Sequence, residues 1–148
     1  MKIQNEMKLS FMSRSCNESF ARSAVAAFVM QLDPTVDEIA DIKTAVSEAV
    51  TNCIVHGYKE QMGPVYIQVR ILNGNFVQIK VRDVGCGIPD VAEAMEPLYT
   101  TCTTGERAGL GFAVMQSFMD KVRVYSRMGK GTIVTMTKEI KSRMDARE

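Results

Sequence analysis

The sequence predicts an α/β protein of the α+β kind, a two-layer sandwich with helices on one face of a mixed, mostly antiparallel sheet. Three observations carry that expectation. Val65, Ile67, Val69 and Ile71 alternate with polar residues up to Asn73-Gly74, and Val77, Ile79 and Val81 alternate out of it, the pattern of a hairpin closed by a type I′ turn. A second alternating pair, 122–126 and 132–140, flanks Gly129-Lys130-Gly131. Two amphipathic segments, 17–32 and 35–55, supply the helical layer.

The elements follow in order. Met7, Leu9 and Phe11 alternate with polar neighbours and predict an N-terminal strand. Asn17 is placed to cap a helix reaching about Leu32, with Phe20, Ala24, Phe28 and Leu32 on its apolar stripe and Asp33-Pro34 ending it. Thr35-Val-Asp-Glu38 is a capping box for a second helix to about Val55. Its stripe is Ile39, Ile42, Val46, Ala49, Val50 and Cys53, and Gly57 stands where a stop is expected. Asp83 continues the alternation of the hairpin's second strand, so a carboxylate ends a core-facing row, which is costly unless it meets a partner. The polar, threonine-rich stretch from Pro89 to Ala108 reads as a mobile lid around one short helical turn. A helix from about Gly111 to Met119 and the last hairpin complete the fold, and the mixed-charge tail from Lys141 is expected to fray.

A chain of 148 residues is long enough for one domain with its own core. A net charge of +1 argues against a nucleic-acid binder, which normally carries a basic excess. No apolar run approaches the roughly 20 residues that span a bilayer, and the N-terminus lacks the apolar core of a secretory signal. Cys16, Cys53, Cys86 and Cys102 form no C-x-x-C pair and there is one histidine, so reduced thiols in a cytoplasmic protein are expected rather than a zinc site. The eleven methionines read as core filler.

Glu48, Asn52 and His56 recur at steps of four on the second helix. A carboxylate and a carboxamide so spaced project from one face with Cβ atoms about 6 Å apart, letting the amide oxygen of Asn52 ligate Mg²⁺ while Glu48 activates a hydroxyl. A solvated helix face is the plain alternative. Small neighbours at Ala45, Ala49 and Cys53 leave room for a ligand, and mid-helix asparagine wants a reason. In Asp83-x-Gly85-x-Gly87, the carboxylate suits an adenine amine and the glycines permit close approach, although glycines after a strand also make ordinary turns. Gly109-Leu-Gly111 opens a helix whose free N–H groups suit phosphates, with Arg107 near enough to reach a terminal phosphate. Gly129-Lys-Gly-Thr132 lacks the upstream glycine of a Walker loop and leads into a strand, and H-R-D and D-F-G motifs are missing. Cys53 and His56 lie three apart without a third orienting group and make a poor nucleophile pair.

Together, Glu48-x-x-x-Asn52, Asp83-x-Gly85-x-Gly87 and Gly109-x-Gly111 resemble, in order and separation, the N, G1 and G2 boxes of the GHKL superfamily, which includes DNA gyrase, MutL and sensor histidine kinases. Asn17-Glu-Ser-Phe-Ala-Arg22, Gln31-Leu-Asp-Pro-Thr35, Ser47 to Asn52 with His56-Gly-Tyr58, and Gly131-Thr132 further resemble the anti-sigma F family of spore-forming bacteria, from Lys8 to about Ile140. The lid departs most, with Cys102 and Gly105 where a charged, proline-containing stretch is expected.

That resemblance implies the histidine-kinase-like ATPase fold and a dimeric, ATP-dependent serine kinase. Such a protein holds sigma F, then releases it and phosphorylates an anti-anti-sigma partner. It implies Glu48 as general base, Arg107 on the terminal phosphate, and Asn52 on Mg²⁺. Asp83, helped by Thr132, would read adenine, with Gly85, Gly87, Thr104, Gly109 and Gly111 as further nucleotide contacts. Glu18 and Arg22, one turn apart, would touch the partner or form an ordinary surface pair. An anti-sigma B stress-response kinase shares the three boxes. A binding-only ATP-gated adaptor would not need Glu48, and a histidine-kinase catalytic domain would need a separate phosphoacceptor helix.

Overall fold

The computed structural model describes residues 1–95 and 111–141. Five strands form one sheet: β1 (Ile3–Met12), β2 (Pro64–Leu72), β3 (Phe76–Asp83), β4 (Lys121–Arg127) and β5 (Gly131–Glu139), in the order β1-β2-β3-β5-β4. Every neighbouring pair is antiparallel, so the mixed sheet allowed by the sequence resolves to an antiparallel one among the described residues. The reason is connectivity: two tight hairpins and two long returns, from β1 to β2 and from β3 to β4, leave no parallel neighbours. Asn73 and Gly74 have φ of 52° and 81°, and Asn75 N donates to Leu72 O at 3.3 Å, closing the expected type I′ turn.

The helices are α1 (Asn17–Val29), α2 (Val36–Thr51), the short α3 (Val91–Ala94) and α4 (Phe112–Phe118). Alternation decides which sheet face they cover. Val65, Ile67, Val69, Val77, Ile79 and Val81 are buried against Val25, Val29, Ile42, Val46 and Val50, with Phe112 and Met115 closing the end beside β5. The opposite face carries mostly polar and charged side chains, with Tyr66, Ile133 and Tyr125 among them.

Three local expectations need correction. Asn17 does not cap α1; Cys16 holds that position without a side-chain bond, and the Asn17 amide donates instead to Met12 O at 2.9 Å, tying helix to strand. The predicted helix to Leu32 is α1 followed by a 3₁₀ turn, Met30–Leu32, ended where Asp33 turns left-handed at φ 51°. The Thr35–Glu38 capping box is present in both directions, but α2 gives way at Asn52 to a π-helical turn, Asn52–Gly57. Asp90 caps α3, the one short helical turn expected after Pro89.

Candidate functional site

The π turn shapes the site. Its wide loop, closed by Tyr58 N donating to Cys53 O at 2.9 Å, brings Asn52, Cys53, His56 and Gly57 together onto one cavity, and such turns recur at functional sites. The cavity holds about 220 Å³ and is closed on the sheet side by Val81, Asp83, Thr132 and Val134. Cys86, Gly87, Ile88 and Met128, whose backbone lies against Gly87, and Phe112 also line it.

Asp83 lies at its base, only 4% exposed. Gly85 N donates to its Oδ1 at 2.9 Å, and the Cys53 thiol and Thr132 N–H also donate to the carboxylate. Burial nevertheless wins and raises its pKa above the ordinary carboxylate range, because three donors only partly replace water. Burial, and then the neighbouring carboxylate, push the Cys53 thiol well up. Cys53 is therefore a neutral donor rather than a thiolate nucleophile, as its poor pairing with His56 suggested.

The glycines act by close approach. A methyl at Gly57 would sit 2.8 Å from Asp83 Oδ2, and one at Gly85 would overlap Gly57 O, which accepts Cys86 N at 2.9 Å. Gly57, expected as a helix stop, has no positive φ; its use is to let the carboxylate lie against the backbone. Gly87, at φ 84°, abuts the Arg127 carbonyl. Gly111, at φ 71°, opens α4, and a methyl there would overlap Glu48 Oε2. Glu48 does not line the cavity itself; it lies beyond Asn52, against Gly111.

The structure thus brings together Glu48, Asn52, Asp83, Gly85, Gly87, Gly111 and Thr132 from four separated stretches of sequence. Thr132 faces Asp83 in register, and its hydroxyl is 2.8 Å from Ser126 Oγ, which accepts Ile88 N at 2.7 Å. Arg107, Thr104 and Gly109 lie outside the described residues. Glu18 and Arg22 stand apart on α1, joined at 2.9 Å. Sequence reasoning assigned no role to Tyr58, whose hydroxyl donates to Pro64 O and accepts Val84 N at 2.8 Å, fastening the loop after Asp83 to the start of β2. Its only advance signal was a tyrosine directly after Gly57 at the helix end.

A buried carboxylate and threonine at a sheet end and a carboxamide on the facing helix line one cavity between the two layers. Residues 15–138 match the model of the histidine kinase-like ATPase domain family. The chain is 58% identical over 142 residues to an anti-sigma F factor of a Thermoanaerobacter species, an alignment covering 96% of this chain and 99% of that protein. A solved structure of RsbU and RsbW domains from Mycobacterium tuberculosis superposes with a TM-score of 0.68 at 19% identity, covering 93% of this chain and 32% of that one. The catalytic domain of the histidine kinase ThkA superposes with a TM-score of 0.57 at 17% identity, covering 90% and 96%. The chain belongs to the histidine kinase-like ATPases and, within them, to the anti-sigma F factors.

Proposed function

We infer that the chain is an ATP-dependent serine protein kinase and anti-sigma factor that binds and inhibits sigma F and phosphorylates a serine of its anti-anti-sigma antagonist. The observation that supports this reading is one cavity lined by Asn52 and Asp83, with Glu48 one helical turn before Asn52 and against Gly111. ATP, when bound with Mg²⁺, supplies a transferable phosphoryl group whose charge the metal neutralises.

The residues fit that ligand. Asp83 is a buried acceptor fixed by Gly85 N–H, the Cys53 thiol and Thr132 N–H, suited to an exocyclic amine of adenine. Asn52, buried at the turn between α2 and the π segment, presents an amide oxygen of the kind Mg²⁺ accepts. Glu48, one helical turn earlier and against Gly111, is the carboxylate placed to take the proton of an incoming serine hydroxyl. Arg107, Thr104 and Gly109 are proposed to complete the phosphate end, and Glu18 with Arg22 to meet the protein partner. The protein acts as a homodimer in the cytoplasm in this reading.

Glu48→Gln tests the assignment. With the purified anti-anti-sigma partner and radiolabelled Mg·ATP, label transfer falls by about 10²–10⁴-fold while nucleotide affinity stays within a factor of about three. Transfer at the wild-type rate would remove Glu48 from the chemistry.

A further inference from the structure

Ser126 lies on β4 opposite Thr132, and its hydroxyl meets three polar groups at the edge of the cavity. Ile88 N lies 2.7 Å from Ser126 Oγ, Gly131 O at 3.1 Å and Thr132 Oγ1 at 2.8 Å. Two of these contacts have a fixed sense, because an N–H only donates and a carbonyl only accepts. Ser126 therefore receives from Ile88 and gives its single proton to Gly131 O. A hydroxyl has one donor and two acceptor lone pairs, so one lone pair remains. The 2.8 Å contact is then a donation from Thr132 to Ser126. Ser126 is saturated, and Thr132 has committed its only hydroxyl proton. Toward the cavity that it lines, the Thr132 hydroxyl can only accept.

We propose that Ser126, which does not line the cavity, is a positioning residue for base selection: by taking the Thr132 proton it makes that hydroxyl a second acceptor beside Asp83, so the sheet end of the cavity selects a purine 6-amine over a 6-carbonyl. The inference rests on the nucleotide reading above and extends it to how the base is chosen. Thr132 and Asp83 are cross-strand partners, and both line the cavity. Such partners have Cβ atoms about 4.5–5.5 Å apart, so one amino group with its two protons can serve both. A carbonyl in the same place faces a carboxylate and hydroxyl lone pairs. The Cys53 thiol and Thr132 N–H, two donors at that end, are already committed to Asp83. Ser126 also holds Ile88, but the same loop has a second tie, Gly129 N donating to Cys86 O at 2.8 Å. Loss of the serine hydroxyl therefore frees Thr132 while the loop stays fastened.

Calorimetric titration of the full chain with Mg·ATP and Mg·ITP tests this. Inosine replaces the 6-amino group by a carbonyl and, unlike guanine, brings no second amine. The wild-type chain prefers ATP. In Ser126→Ala the released Thr132 proton can meet a carbonyl, and the ATP-to-ITP affinity ratio falls about fivefold, the effect of one hydrogen bond. Ser126→Thr keeps a hydroxyl in place and keeps the ratio. Should Ser126→Ala unfold, Ser126→Cys, a weaker acceptor of similar shape, moves the ratio the same way by less. Thr132→Val removes the oriented group, so adding Ser126→Ala to it leaves the ratio where Thr132→Val alone puts it. A serine that merely held the loop would change the ratio equally in both backgrounds, and that result overturns the proposal. An unchanged ratio in Ser126→Ala, with ATP still preferred by the wild-type chain, also overturns it and leaves the nucleotide reading standing. A wild-type chain that binds ATP and ITP equally overturns the proposal as well, and one that binds neither removes the nucleotide reading with it.

Discussion

Asp83 is a residue whose burial costs stability at neutral pH. Its folded pKa is raised by burial, so its protonated form favours the fold. That contribution is complete below the ordinary carboxylate range and is lost as pH rises through the raised folded value, leaving the ionised group a net cost at neutral pH. Asp83→Asn should therefore raise the unliganded Tm at pH 7. The gain should vanish below about pH 4, where Asp83 is protonated in both states. The same variant should lose preference for ATP over GTP in calorimetric titration. A destabilised variant with unchanged discrimination would show that Asp83 holds the fold rather than reads the base. Gly57→Ala is the complementary case: its backbone is not left-handed, so the fold survives, but the new methyl sits 2.8 Å from Asp83 Oδ2 and must displace it. Nucleotide affinity should fall at least about tenfold while circular dichroism stays unchanged; full affinity would mean the carboxylate can move without loss.

Elements differ in how far residues alone disclose them. Both hairpins, the Thr35–Glu38 capping box and Asp83 at a core-facing strand end were legible because alternation and turn chemistry are local. The π turn was not, since Asn52 to Gly57 continues a helical pattern and the extra residue per turn is decided by packing against the loop after Asp83. The Asn17 cap failed because its amide found a tertiary partner in Met12 O, which no local rule anticipates. Gly57 was legible as a glycine that matters, though for the wrong reason: what it accommodates comes from a strand distant in sequence. On α1, the Glu18–Arg22 pair is partly exposed and follows the helix, so it contributes little to the fold. Arg22→Ala should change stability by less than about 0.5 kcal/mol in urea unfolding, while weakening capture of sigma F in a pull-down. Intact capture would return the pair to ordinary surface chemistry.

At the scale of the whole molecule, the cleft joins the two layers at one end of the sheet: α2 and the π turn bring Asn52, β3 brings Asp83, and β5 brings Thr132. A ligand seated there contacts elements that must all be in place at once, so binding is coupled to global unfolding rather than to one loop. Linkage sets the size of the effect. Mg·ATP at a hundred times its Kd adds about 2.7 kcal/mol, and a domain near this length responds with roughly 2–4 °C per kcal/mol, giving a rise of about 5–11 °C in Tm. GTP at the same concentration should give a much smaller rise, because the acceptor at Asp83 meets a carbonyl instead of an amine on the purine ring. Asp83→Asn should narrow that difference even as its unliganded Tm goes up. The two changes run in opposite directions, so a general stabilisation cannot imitate them. Differential scanning fluorimetry across the four combinations of variant and nucleotide reads both, and equal shifts for ATP and GTP in the wild-type chain would mean that the buried carboxylate does not select the base.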